Sequence, residues 1–107
     1  MSSPHSTILN FNADVDYAPG GIVSKRILEK STGNVSLFAF DKAQRLSEHS
    51  APFDAMIQVI EGQAEITIDN KPYELRTNET IIMPANIPHA VFATERFKML
   101  LTMIKGE

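Results

Sequence analysis

Two histidines offer the side chains best suited to chemistry: His49 in Arg45-Leu46-Ser47-Glu48-His49-Ser50-Ala51-Pro52, and His89 in Pro84-Ala85-Asn86-Ile87-Pro88-His89. An imidazole titrates near neutral pH, ligates metals through one ring nitrogen and hydrogen-bonds through the other. Two imidazoles alone rarely retain zinc, iron or manganese, which take three or four protein ligands. The nearby carboxylates that would complete a site are Glu48 and Asp54. Strict strand alternation sets both on the face opposite His49 and Ala55, unless a bulge re-aims one. The third histidine, His5, falls in Met1 to Thr7, a Ser-rich stretch without periodicity that reads as a mobile tail. The sequence carries no Ser-His-Asp order, no phosphate-cradling glycine loop and no paired zinc-ligand spacing.

The stretch that positions His89 runs from Asn78 to Ala93. It reads as a polar turn, a short apolar strand, a Pro-Ala-Asn turn and a second strand that opens on the histidine. Pro84 ends the ladder because it has no N–H to donate, and Asn78 and Asn86 are residues that readily take the left-handed conformation of a tight corner. His89 then stands at the mouth of whatever the sheet encloses.

This arrangement resembles the second motif of the cupin superfamily, G-x5-P-x-G-x2-H-x3-N. Pro84 and His89 match its proline and histidine, Asn78 and Asn86 stand at its glycines, and Ala93 stands at its asparagine. The stretch from Asp54 through Gly62 to Ile68 also looks like the second half of the first motif, G-x5-H-x-H-x3,4-E-x6-G. In the family the two histidines and the glutamate of that motif join the second-motif histidine around one metal. Counting back from Gly62, the glutamate position is Ala55. With the three-residue spacing the histidine positions are His49 and Ala51; with the four-residue spacing they are Glu48 and Ser50. The three-residue register is preferred because it keeps a histidine at a ligand position. The resemblance thus implies His49 and His89 as metal ligands and Ala51 and Ala55 as ligand-binding positions that have lost their donors. Any divalent transition ion there (Zn, Mn, Fe or Ni) is expected to be weakly held, and the space left by the alanines admits a small organic ligand or water, or collapses.

At 107 residues the chain is long enough for one domain with a single core. Residues 8–107 are read as that domain, with the motifs over about 34–104. A formal charge of −3, with Lys and Arg scattered, argues against nucleic-acid or anionic-membrane partners. The absence of cysteine excludes a disulfide framework and thiolate chemistry. No apolar run is long enough to span a bilayer, and the amino terminus has no signal-peptide pattern, so a cytoplasmic location is expected.

The remaining elements read as short strands between turns. Ile8 to Phe11 is a candidate first strand, Pro19-Gly20-Gly21 a turn, and Ile22 to Glu29 an edge strand with Val23 and Ile27 on one face. Val35 to Phe40 is apolar on both faces, as in a strand covered on both sides. Ala64, Ile66 and Ile68 alternate with polar residues, Gly62 suits a bend, and Asp69-Asn70-Lys71-Pro72 is a hairpin turn leading to inward Tyr73 and Leu75. Arg96 to Ile104 carries Phe97, Met99, Leu101 and Met103 on one side. With no convincing helix, the class is all-β, an antiparallel sandwich or barrel. The resemblance narrows it to a double-stranded β-helix of jelly-roll type.

Three functions follow as expectations: a barrel binding a small molecule or weakly a metal ion, a metal-dependent enzyme of dioxygenase, isomerase or decarboxylase type, or a ligand-sensing or structural module. The two-sided apolar strands, and the habit of small cupins, also predict a homodimer.

Overall fold

The computed structural model describes residues 5–105. Of the expected tail, residues 1–4 lie outside the described residues, and His5 and Ser6 form a turn. The expected strand at Ile8 to Phe11 is not formed. Asn10 instead caps a single helical turn, α1 (Phe11–Asp14), its side chain accepting from the Ala13 N–H, because an asparagine ahead of a short polar run satisfies free amide groups better than a strand would.

Among the described residues eight strands follow: β1 (Ile22–Lys30), β2 (Gly33–Phe40), β3 (Arg45–His49), β4 (Asp54–Ile68), β5 (Lys71–Arg76), β6 (Thr80–Met83), β7 (His89–Phe92) and β8 (Phe97–Ile104). All pairings are antiparallel. Fifteen-residue β4 holds the molecule together, because its first half pairs with β6 and β8 and its second half with β5 and β7. One layer therefore runs β1-β2-β8-β4-β6 and the other β5-β4-β7-β3. Gly62 makes the bend between the halves, at φ +84°. A Cβ there would lie 2.2 Å from the Arg96 carbonyl oxygen, so the two backbones can approach only at a glycine.

The tight turns follow the chemistry of their residues. Asp69 and Asn70 both have positive φ (52° and 65°), the requirement of a two-residue hairpin turn, and Asn78 and Asn86 hold the left-handed conformation at φ 75° and 66°.

The inner faces of both layers close on one apolar core. It contains Phe40, Ile57, Val59, Ala64, Ile66, Leu75, Val91, Phe97 and Met99, with Leu101, Met103, Tyr73 and Ile68 packed against it. The Phe40 and Phe97 rings stack with centroids 4.6 Å apart. The outer face of the β1-β2-β8 layer is apolar as well, and part of it is covered by the chain's own amino-terminal segment. Val15 packs with Leu37 and Ala39, joined by Phe11, Tyr17, Val23, Ile27, Ile60 and Leu100. That cover accounts for much of the two-sided pattern of β2. It is fastened by Tyr17, whose hydroxyl donates to Glu61 Oε2 at 2.5 Å, and by Lys98, whose Nζ donates to the Asn12 carbonyl at 2.5 Å. Burial, then the carboxylate of Glu61, raises the Tyr17 pKa above the ordinary phenol value. The Arg96 guanidinium lies 4.4 Å from the Tyr17 ring centroid and also pairs with Asp41 at 3.5 Å.

Candidate functional site

His49 ends β3 and His89 begins β7, and the two are direct partners across that ladder. His89 is also paired with Ile68 at the end of β4. Residues directly opposite in an antiparallel pair share a face. Ile68 packs on the core, so both histidines belong to the inner face of their layer.

His49 reaches that face through an irregularity. The β3-β7 register shifts between Leu46 and His49, so Leu46 and His49 both face inward although three residues apart, an odd separation. The bulge re-aims His49 and sends Glu48 the other way. Glu48 lines an outer cleft of about 460 Å³ with Arg45, Ser47, Glu65, Thr67 and Phe92. It is not a partner of the histidines.

Two short loops set the end of the barrel where the pair sits. The Asn86 N–H donates to the Ala51 carbonyl at 2.7 Å, and the Ala85 N–H donates to Asp54 Oδ1 at 2.9 Å. The loop leaving His49 is thereby tied to the loop arriving at His89. Asp54 is engaged in that tie, and half-buried Ala51 contributes its backbone. Ala55 is 5 % exposed and lies inside the core, flanked across the sheet by Met83 and Met103.

The rings are held for a definite protonation pattern. His49 Nδ1 lies 2.9 Å from the Ser47 carbonyl and His89 Nδ1 3.3 Å from the Ile87 carbonyl. A carbonyl oxygen only accepts, so each Nδ1 is the protonated nitrogen, and each Nε2 is bare whenever its ring is neutral. The two Nε2 atoms face each other at 3.2 Å, with ring centroids 4.4 Å apart and planes at 69°. Two bare lone pairs at that distance repel, so the contact is satisfied by a single proton between the rings or by a cation. Burial and then the nearby His49 lower the His89 pKa, while the Ile87 carbonyl pulls the other way. His89, 6 % exposed, is the buried ring of the pair, and His49 is the exposed one.

Zinc–imidazole bonds of about 2.0–2.1 Å place neighbouring nitrogens of a tetrahedral site about 3.3 Å apart, close to the spacing of this pair. The remaining donors are missing: among the described residues no group of three or more His, Cys, Asp or Glu side chains is gathered for a metal ion. The pair fits two positions of an ion, and the donor set does not fit a firmly held resident metal.

Both histidines were legible in the sequence, and so was the engagement of the Pro84 to Pro88 turn in placing His89. The bulge in β3 had no sequence signal beyond the conflict between strict alternation and the preferred motif register.

The Cupin domain family model matches residues 36–105. Among solved structures, the conserved protein SPY1581 of unknown function from Streptococcus pyogenes is 37% identical, with a TM-score of 0.92, over 100% of this chain and 97% of that one. A cupin 2 conserved barrel domain protein from Leptotrichia buccalis is 41% identical with a TM-score of 0.83, over 85% of this chain and 44% of its own. A cupin superfamily protein from Desulfitobacterium hafniense, 24% identical over 97% of this chain and 95% of its own, has the same fold with a TM-score of 0.90. No curated protein matches at a significant level. With the motif residues, the antiparallel double-layered barrel and these matches in agreement, the chain belongs to the cupin family.

Proposed function

We propose that this cupin binds a small organic molecule at the end of the barrel where His49 and His89 meet, and that a divalent transition ion enters the same place only loosely. The observation that carries this reading is the pair of Nε2 atoms 3.2 Å apart, each ring oriented by a carbonyl on its Nδ1. Such a pair presents positive charge when it holds a proton or an ion, and it presents it to a polar or anionic oxygen. An ion bound there would polarise such an oxygen as a Lewis acid. The protein's own contribution is the orientation of both rings by Ser47 and Ile87, the inward-facing Ile68 paired with His89, and the tie that fixes the two loops.

A catalytic role through a resident metal would call for donors at Ala51 and Ala55, which the chain lacks. The test is a zinc and nickel titration of protein purified without chelator, with His49→Ala and His89→Ala alongside. Weak, reversible binding that either substitution abolishes supports the reading. A stoichiometric metal that survives loss of both histidines refutes it.

A further inference from the structure

We infer that the cleft on the outside of the β3-β7-β4 layer binds a free cationic amino acid, a molecule with one carboxylate and two ammonium groups, such as lysine. The cleft lies on the opposite face of that layer from the histidine pair and is independent of the function proposed for the pair.

The register builds the cleft from side chains that point outward. Leu46, Ile66 and Val91 pack in the core, so their neighbours Arg45, Glu65, Thr67 and Phe92 face away from it. Arg45 is the partner of Phe92 across the β3-β7 ladder, and Phe92 is the partner of Glu65 across the β7-β4 ladder. One transverse row therefore reads Arg45, Phe92, Glu65. In the next row Thr67 is paired with Ala90, and Ala90 stands opposite the β3 bulge at Ser47 and Glu48. The bulge that turns His49 inward thus delivers Glu48 to the outer face. Together these residues line a concave space of about 460 Å³, within the size range of small-molecule sites.

The charges of the cleft set it apart from the rest of the surface. Elsewhere the chain pairs opposite charges, Arg26 with Glu29, Lys42 with Glu95 and Arg96 with Asp41. In the cleft one guanidinium and two carboxylates line the same space, and none of the three has an ion pair or hydrogen bond among the described residues. Phe92 is the reason. The Arg45 guanidinium lies over its ring, 4.9 Å from the centroid, a cation–π contact that positions the cation and leaves its N–H donors uncommitted. Phe92 also stands between Arg45 and Glu65, whose backbones are two strand spacings apart, roughly 10 Å. Glu48 is three residues along β3 from Arg45, again roughly 10 Å in extended chain. Glu74, beside Glu65 on β5, is already engaged by the Gln63 side chain.

A ligand for this cleft must answer one cation and two anions held apart around an apolar floor of Phe92 and Ala90. A guanidinium with free donors takes a carboxylate, and each glutamate takes an ammonium. A simple acid would be repelled by the glutamates, a diamine would leave Arg45 unanswered, and a zwitterion with one ammonium would leave one glutamate. A diamino monocarboxylate answers all three, and its methylene chain covers the floor. The guanidinium is drawn over Phe92, the immediate neighbour of Glu65, so the α-ammonium beside the ligand's carboxylate falls to Glu65. The side-chain ammonium then falls to Glu48.

The experiment is an NMR titration of the full chain with L-lysine and with three analogues that each lack one group. Norleucine lacks the side-chain ammonium, ε-aminocaproate the α-ammonium and cadaverine the carboxylate. Lysine should give saturable amide shifts confined to residues 45–48, 65–67 and 90–92, and each analogue should bind about three- to fivefold more weakly, the worth of one partly exposed ion pair. Glu48→Gln should erase the advantage of lysine over norleucine, Glu65→Gln its advantage over ε-aminocaproate, and Arg45→Gln its advantage over cadaverine. Glu29→Gln, which removes the same charge from the other layer, should erase none of them. The analogue series on wild type reads the same groups without any substitution. The inference is overturned by an absence of saturable shifts with lysine at tens of millimolar, by shifts centred elsewhere, or by analogues that bind as well as lysine. It is overturned equally if Glu29→Gln reduces the advantages as much as the cleft substitutions do, because net charge would then be the attraction. None of these outcomes bears on the histidine pair, which the zinc and nickel titration tests separately.

Discussion

The carbonyl oxygen of Arg96 occupies the space beside Gly62 where any other residue would carry its Cβ, at 2.2 Å. This contact is the hinge of the fold, since Gly62 pairs with Phe97 at the point where β4 passes from one layer to the other. Gly62→Ala combines that collision with a positive φ of 84° and should cost about 2–4 kcal/mol. Urea denaturation checks it, and an unchanged midpoint would show that the bend relaxes without cost.

Losing the loop tie should be felt at the histidines. Asp54→Ala leaves the Ala85 N–H without its carboxylate acceptor and should cost roughly 1 kcal/mol at this exposed site. Ligand-free NMR spectra should also show His89 ring signals shifted or broadened. Stability loss without any change at His89 would mean the tie does not position the ring.

The pH dependence has a definite sign. His89 is disfavoured as a cation in the folded protein, by burial and by His49, so its folded pKa lies below the unfolded value of about 6.5. The unfolded chain therefore binds more protons, and this contribution to stability is fully present above pH 6.5 and is lost as pH falls through the lower folded value. Chemical denaturation at pH 7.5, 6.5 and 5.5 should show the decline, and His89→Gln should flatten it. Divalent-ion affinity should fade over the same descent, because protons and the ion compete for the same Nε2 atoms.

Restoring the missing donors should strengthen metal binding at a price in stability. Ala51→His with Ala55→Glu completes the family's ligand set, and zinc affinity should rise well above wild type. Ala55 is buried against Met83 and Met103, so a carboxylate there without an ion should lower the Tm by several degrees. Zinc should recover the loss. A variant that binds zinc no better than wild type would show that the register pairing His49 with Ala51 is wrong.

A homodimer is expected in solution, and the exposed apolar side chains indicate which face to test. Ile82 and Ile104, 61 % and 64 % exposed, line one apolar cleft of about 140 Å³ with Met56 and Thr102, on the part of the outer sheet face that the amino-terminal segment leaves bare. Light scattering at micromolar concentration should give the dimer mass, and Ile82→Glu with Ile104→Glu should give the monomer. A monomer mass for wild type would reject the expectation.

Much of the fold was legible because its signals are local. Alternation set the inward faces of the second half of β4, of β5 and of β8, and the left-handed conformations of Asn70, Asn78 and Asn86 follow from residue type. The motif spacing found the histidine pair. What the sequence could not show depends on contacts between distant segments. The apolar outer face of β2 gave no hint that Val15 and Tyr17 would cover it, and the inward turn of His49 depends on a bulge set by pairing with β7. The false strand at Ile8 to Phe11 had a local source: its apolar residues matched a strand, and Asn10 capped α1 instead.

The seating of β8 between β2 and β4 has a consequence for how the chain is made. During synthesis β2 and β4 emerge long before β8, and each carries a long ladder edge that only β8 will fill, from Gly33 to Phe40 on one side and from Asp54 to Gly62 on the other. The nascent chain therefore cannot close its principal layer until β8 has left the ribosome, and its commitment to the native state is non-local. Until then, two apolar edges wait unpaired, and the crowded polysome, where neighbouring copies present the same edges, is the setting in which this protein is most exposed to mispairing.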